Sequence, residues 1–193
     1  MENRKYIPLI QKPDCCSAAC LQMILFKRGF TRFTQEKIAK ELGLYIGPKN
    51  KDAFSEKLKV RSKKSDINET VKSARKINEF FRKNRIPLSA RGFKISQIEN
   101  PEEFIRQALD KDYDLWAEFS NMPIYGTSGG HDCLISGLKK KGRQCFAELV
   151  DPYWGHKQVY LVPLDRLIKA MQKENSPPPA RERGIVVITG RPS

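Results

Sequence analysis

From Ala18 to Phe26 a single polar side chain, Gln22, interrupts an apolar run too uniform for a helix with one wet face. A helix apolar on nearly every side belongs at the buried centre of a domain. Pro13 and Asp14 mark its start, since proline disfavours helix for its predecessor and Asp is a good N-cap. Cys15 and Cys16 then fall at, or one residue inside, the helix N-terminus, and Lys27, Arg28 and Gly29 end it. Residues 3–10 read as an extended lead-in. Thr34 is the N-cap of a second helix, with Lys37 where Glu would be ideal, an apolar face of Ile38, Ala39 and Leu42, and a stop at Gly43.

Residues 47–68 are polar, basic and weakly periodic, which predicts a mobile loop or a short surface helix. Helical period returns over 69–83 through Val71, Ala74, Ile77, Phe80 and Phe81, and Pro87 breaks it. Residues 88–95 read as a strand. Pro101, with two acids after it, opens a helix buried through Phe104, Ile105, Ala108 and Leu109. The pattern then changes to strands at 114–119, 131–138 and 144–150, the last two forming a hairpin, with NMPIYGTSGG as a loop before His131. A strand at 159–162, a helix at 164–172, the loop SPPPARERG and a strand at 184–189 complete the chain. Helices first and an antiparallel sheet afterwards is an α+β order, and 193 residues suit a single domain spanning 1–193.

Charge changes the picture locally. Residues 49–94 hold 15 Lys/Arg against 5 Asp/Glu, so this stretch supplies +10 of the net +14 and leaves +4 for the other 147 residues. A basic insertion at about 47–94 is expected, whose partner would be acidic. Phe54, Phe80, Phe81 and Phe93 interleave with it, so a nucleic-acid- or acidic-partner-binding module without catalysis is the alternative function. Five cysteines, an odd number with two adjacent, make a poor disulfide framework and fit a reducing compartment. The chain shows neither an apolar run of membrane-spanning length nor the apolar core of a signal peptide, so a cytoplasmic location is expected.

A thiol at a helix N-terminus is biased toward thiolate by the unpaired N–H groups and the helix dipole. Such a cysteine needs a general base, and there are two histidines. His131 follows Gly129-Gly130 at the entry to an apolar strand, whereas His156 lies in the loop DPYWGHK and reads as exposed. The hairpin returns Asp151 to the end where His131 starts, so the carboxylate can orient the imidazole. Each feature alone has a plain structural reading: a buried small hydrophobe, a core histidine, a turn aspartate. A metal site built from Cys16, Cys20, Cys133 and His131 is a further reading, although the spacing fits no close-paired zinc signature.

Taken in order, Gln11, Cys16-Ser-Ala-Ala-Cys-Leu-Gln-Met23, His131-Asp-Cys-Leu-Ile-Ser-Gly137 and Val150-Asp-Pro152 resemble the papain-clan cysteine peptidases that cut double-glycine bacteriocin leaders. The resemblance covers roughly residues 7–30 and 128–171. It implies a papain-like fold, with a central buried N-terminal helix packed on an antiparallel sheet. It also implies Cys16 as nucleophile, His131 as general base, Asp151 as its orienter, and Gln11 as oxyanion donor with the Cys16 backbone N–H. Ser17 stands where the family has Gly, Cys15 precedes the nucleophile, and Gln11 is one residue closer than usual. Whether Cys15 or Cys16 attacks therefore stays open, the register of Ala19, Leu21 and Met23 favouring Cys16. The implied substrate is a peptide or protein, with no cofactor and no metal, and a free-standing member is expected because the chain lacks the spans of a fused transporter.

Overall fold

The computed structural model describes residues 5–60, 70–155, 157–172 and 183–190. Helix α1 (Cys16–Lys27) is followed by α2 (Gln35–Leu42), β1 (Tyr45–Ile46), β2 (Lys59–Val60), α3 (Thr70–Lys83) and β3 (Leu88–Lys94). Then come α4 (Pro101–Asp110), β4 (Asp114–Ser120), α5 (Met122–Tyr125), β5 (Gly130–Lys141) and β6 (Gln144–Val150). Strand β7 (Val159–Pro163), helix α6 (Leu164–Met171) and strand β8 (Gly184–Gly190) follow. Strands β3 to β8 form one antiparallel sheet in the order β3-β8-β4-β5-β6-β7, so the protein is mixed α+β.

Helices cover both faces of this sheet. On one, α1, α2 and α3 bury Leu21, Ile24, Ile38, Ile77 and Phe81 against Trp116, Leu134, Val150, Val186 and Ile188. On the other, α4 and α6 bury Ile105, Leu167 and Met171 against Leu115, Phe119, Cys133, Ile135, Leu149 and Ile185. The period of two along a strand explains the division, with Leu115 and Trp116, or Leu134 and Ile135, facing opposite ways. Every residue of β4 is buried because it lies inside the sheet and is covered on both faces. Its one fully buried terminal carboxylate, Asp114, is matched by Lys27 at 2.9 Å, Arg28 at 2.7 Å and the Tyr6 hydroxyl at 2.8 Å.

Several local expectations meet the structure directly. Thr34 caps α2 by accepting from Lys37 N–H at 3.2 Å, Gly43 ends it at φ 66, and Pro101 opens α4 with Glu102 and Glu103 in its first turn. Others are corrected. The N-cap of α1 is Cys15, with no side-chain cap bond; Asp14 instead adopts φ 59 and turns its carboxylate to Gly47 N–H (2.6 Å) and Asn50 Nδ2 (2.9 Å). Val71 is 47% exposed and not on the buried face of α3. NMPIYGTSGG contains the short helix α5, four residues long with Pro123 in its first turn and Gly126 at its C-cap, too short for periodicity to reveal. Of the loop or short surface helix expected over 47–68, residues 48–53 form a 3-10 helix, while the short strands β1 and β2, which pair in parallel, were not expected. Residues 61–69, His156 and most of SPPPARERG lie outside the described residues.

Candidate functional site

The C-terminal ends of β4 and β6 and the N-terminal ends of β5 and β7 share one end of the sheet, and the N-terminus of α1 reaches the same end. The approach to α1 is built by side chains of α2. Gln35 accepts from Lys12 N–H and donates to the Ile10 carbonyl, both at 2.8 Å, so it clamps the extended segment that carries Gln11. Gln11 N–H donates to the Pro152 carbonyl at 2.8 Å, which ties that segment to the end of β6. Its side-chain Oε1 is buried with no hydrogen-bond partner among the described residues.

The structure brings His131 and Asp151 together. Imidazole Nε2 donates to Asp151 Oδ1 at 2.7 Å, leaving Nδ1 as the ring nitrogen not engaged by the carboxylate. Asp151 also accepts from Tyr125 (2.6 Å) and Tyr160 (2.7 Å) hydroxyls at Oδ2 and from Tyr153 N–H (2.8 Å) at Oδ1. Burial opposes its charge, and these donors more than compensate, holding the carboxyl well below the usual range. The imidazole is enclosed edge-on by Phe119, Tyr125 and Tyr153, with ring centroids 5.8–6.2 Å away. Burial first, then Cys133 and the same carboxylate, pushes both tyrosine hydroxyls up.

Cys16 is placed differently from expectation. Its thiol donates to Asp132 Oδ2 at 3.5 Å, and the Ser17 hydroxyl donates to the same oxygen. Asp132 faces α1, so its neighbour His131 is turned toward the other face of β5, and among the described residues the hydrogen bond of Cys16 goes to Asp132 rather than to the imidazole. The helix N-terminus does not make Cys16 a thiolate here: burial first, and the Asp132 carboxylate second, push the thiol well up. Cys15 is fully buried and pushed up to about 12, by burial and then Asp14. Cys20 donates to the Asp132 carbonyl at 3.3 Å.

His131, Cys133 and Asp151 present nitrogen, sulfur and oxygen within 4.8 Å of one another. That donor set suits zinc. Asp151, however, already accepts four hydrogen bonds and Cys133 lies 3.9 Å from the Tyr125 hydroxyl, so the cluster is satisfied by protein donors and we assign it no metal. The Cys16, Cys20, Cys133 and His131 set does not converge, because Cys16 and His131 face opposite sides of β5.

Residues missed by sequence reasoning are Tyr125, Tyr160, Asp132 and Glu118. The tyrosines carry no local signal, since their meeting at Asp151 depends on α5 and β7 coming together. Glu118 does: it is one of two acids, with Asp114, in a strand whose every residue is buried. No family model matches the chain, and no curated protein is significantly similar to it.

Proposed function

We propose that the protein is a papain-like thiol hydrolase of peptide or amide bonds. The observation that carries this reading is the 2.7 Å bond from His131 to a deeply anchored Asp151, at the end of the sheet where Cys16 opens a buried helix. An imidazole whose Nε2 is held by a carboxylate has a fixed tautomer and a stabilised cation. In the proposed reaction Cys16 gives its proton to His131 Nδ1 and its sulfur attacks the carbonyl carbon. The oxyanion is held by the Cys16 backbone N–H, one of the unpaired N–H groups of the first helical turn, and by the Gln11 amide. His131 then protonates the leaving amine, and water releases the acyl group. Because the thiol and imidazole are on opposite faces of β5 at rest, attack requires Cys16 to leave Asp132 and swing to the imidazole.

Five unpaired cysteines fit a reducing, cytoplasmic setting. Among the described residues no helix is long and apolar enough to cross a membrane. For the basic segment we propose recruitment of an acidic partner, at a groove of about 620 Å³ between α3 and β3 that carries Arg75, Arg82 and Arg91 over a floor of Ala74 and Ala90. The test of the hydrolase reading is turnover of a pooled set of fluorogenic peptide amides. Activity is expected in the wild-type protein and in Cys15→Ala, lost in Cys16→Ala, and lowered about 10²–10⁴-fold in His131→Ala. Full activity of Cys16→Ala, or folded wild-type protein without turnover on any member, overturns the reading.

A further inference from the structure

Beneath Cys16 lies a pair of carboxyls that the proposed reaction does not use. Strands β4 and β5 pair Glu118 directly with Asp132, so both side chains face the layer of α1 and α3. Cross-strand partners have Cβ atoms about 4.5–5.5 Å apart, which brings the two carboxyl groups into contact range. Glu118 is 1% exposed and Asp132 0%. Asp132 Oδ2 is occupied by Cys16 and Ser17, while Asp132 Oδ1 and Glu118 Oε2 are both buried without a hydrogen-bond partner among the described residues.

Two unfilled acceptors on opposed, buried carboxylates would be costly twice over, as unsatisfied polar atoms and as like charges. One proton resolves both, because a Glu118 O–H donating to Asp132 Oδ1 gives each orphaned oxygen a partner. The surroundings agree. Burial, then Asp132, pushes Glu118 up to about 7, against smaller opposing pulls from Ser73 and Thr70 on α3 and from Arg183 ahead of β8. Arg183 is itself engaged, donating to the Phe119 carbonyl. Cys16, Ser17 and Cys20 are the groups facing the pair from α1.

We propose that Glu118 and Asp132 share one proton and act as a latch that keeps Cys16 a neutral thiol until a substrate draws it away. This deepens the hydrolase reading and rests on it for its consequence in turnover, but the latch itself is a property of the thiol. With one proton on the pair, Asp132 accepts the S–H bond and carries a single negative charge beside the sulfur. When that proton is lost, two negative charges face the thiol and its ionisation is opposed further. Asp132 and Glu118 are positioning residues acting on the nucleophile.

The experiment is the rate of iodoacetamide alkylation at Cys16 across pH 5.5–9, read by tandem mass spectrometry so that Cys15 is distinguished, on full-length protein. Asp132→Asn removes the charge and offers an N–H donor to the thiolate, so Cys16 is expected to react at least about tenfold faster near pH 7, the effect of one unit in thiol pKa. Glu118→Gln mimics the protonated acid permanently. It is expected to match wild type at pH 6 and to react several-fold faster only above neutrality. Equal rates in Asp132→Asn and wild type, or a Glu118→Gln profile displaced by the same factor at every pH, overturn the proposal. Infrared difference spectroscopy of wild type against Glu118→Gln supplies a readout without alkylation. A protonated carboxylic acid present in wild type at pH 6 and missing from the variant supports the shared proton, and its absence from wild type overturns it. Alkylation is measured whether or not any peptide is cleaved, so a failed latch and a failed hydrolase give different results.

Discussion

Asp151 and Glu118 are both buried carboxyl groups, and their neighbours send them in opposite directions. Asp151 is surrounded by donors from His131, Tyr125, Tyr160 and the Tyr153 backbone, so its charge is favoured. Its stabilising effect is present above the ordinary Asp value of 3.8 and is lost as pH falls below it. Tyr160→Phe removes one hydrogen bond to that charge and is expected to cost about 1.5–3 kcal/mol in urea unfolding at pH 7. Acid unfolding of this variant should begin at higher pH than in wild type. Glu118 meets another acid and its proton is favoured, so the folded state binds it more tightly than the unfolded chain does. Stability is therefore fullest below 4.5, the ordinary Glu value, and declines as pH rises through about 7. Thermal melts of Glu118→Gln should match wild type at pH 5 and exceed it at pH 8; a constant offset would contradict this.

Among the elements, α2 does more than pack. Glu36, only 8% exposed, accepts from Lys12, from Ser55 N–H (3.2 Å) and hydroxyl, and from Glu56 N–H (3.1 Å). It thereby joins the segment before α1 to the chain after the 3-10 helix. These donors, Lys12 first, pull Glu36 down to about 2. A depressed carboxyl stabilises above its unfolded value of 4.5 and loses the effect as pH falls toward 2. Glu36→Gln should destabilise by about 1–3 kcal/mol at pH 7, with the difference shrinking between pH 4.5 and 2. It should also speed hydrogen exchange at Ser55 and Glu56. At the other edge, Gly92 lets α3 start close to β3, for a Cβ there would stand 2.5 Å from the Thr70 carbonyl oxygen.

Over the whole molecule, the candidate site and the basic groove are on different parts of one sheet. Strands β8 and β4 separate β3 from β5, so at about 4.8 Å per strand the two regions are about 14 Å apart. Changing Arg75, Arg82 and Arg91 together to Gln should leave hydrolysis of small uncharged amides unchanged. The same change should weaken binding to an acidic polypeptide such as polyglutamate and flatten its salt dependence. Unaltered polyglutamate binding at low salt would make the arginines an ordinary solvated face.

What the sequence determined by itself was what short-range chemistry decides. Thr34, Gly43 and Pro101 bound their helices because caps act within one turn, and the uniform apolar run of 18–26 could only be a buried centre. The hairpin of β5 and β6 was legible for the same reason, and with it the meeting of His131 and Asp151, 20 residues apart. The +10 segment was legible as charge, but not the groove that α3 and β3 make of part of it. Tertiary structure alone inserted β8 between β3 and β4, and brought Tyr125 and Tyr160 to Asp151 from separate elements. It also decided that Asp132, rather than His131, meets Cys16. The physical reason is parity: neighbours on a strand face opposite layers, and only the packing of α1 selects which of the two residues at 131 and 132 it will touch.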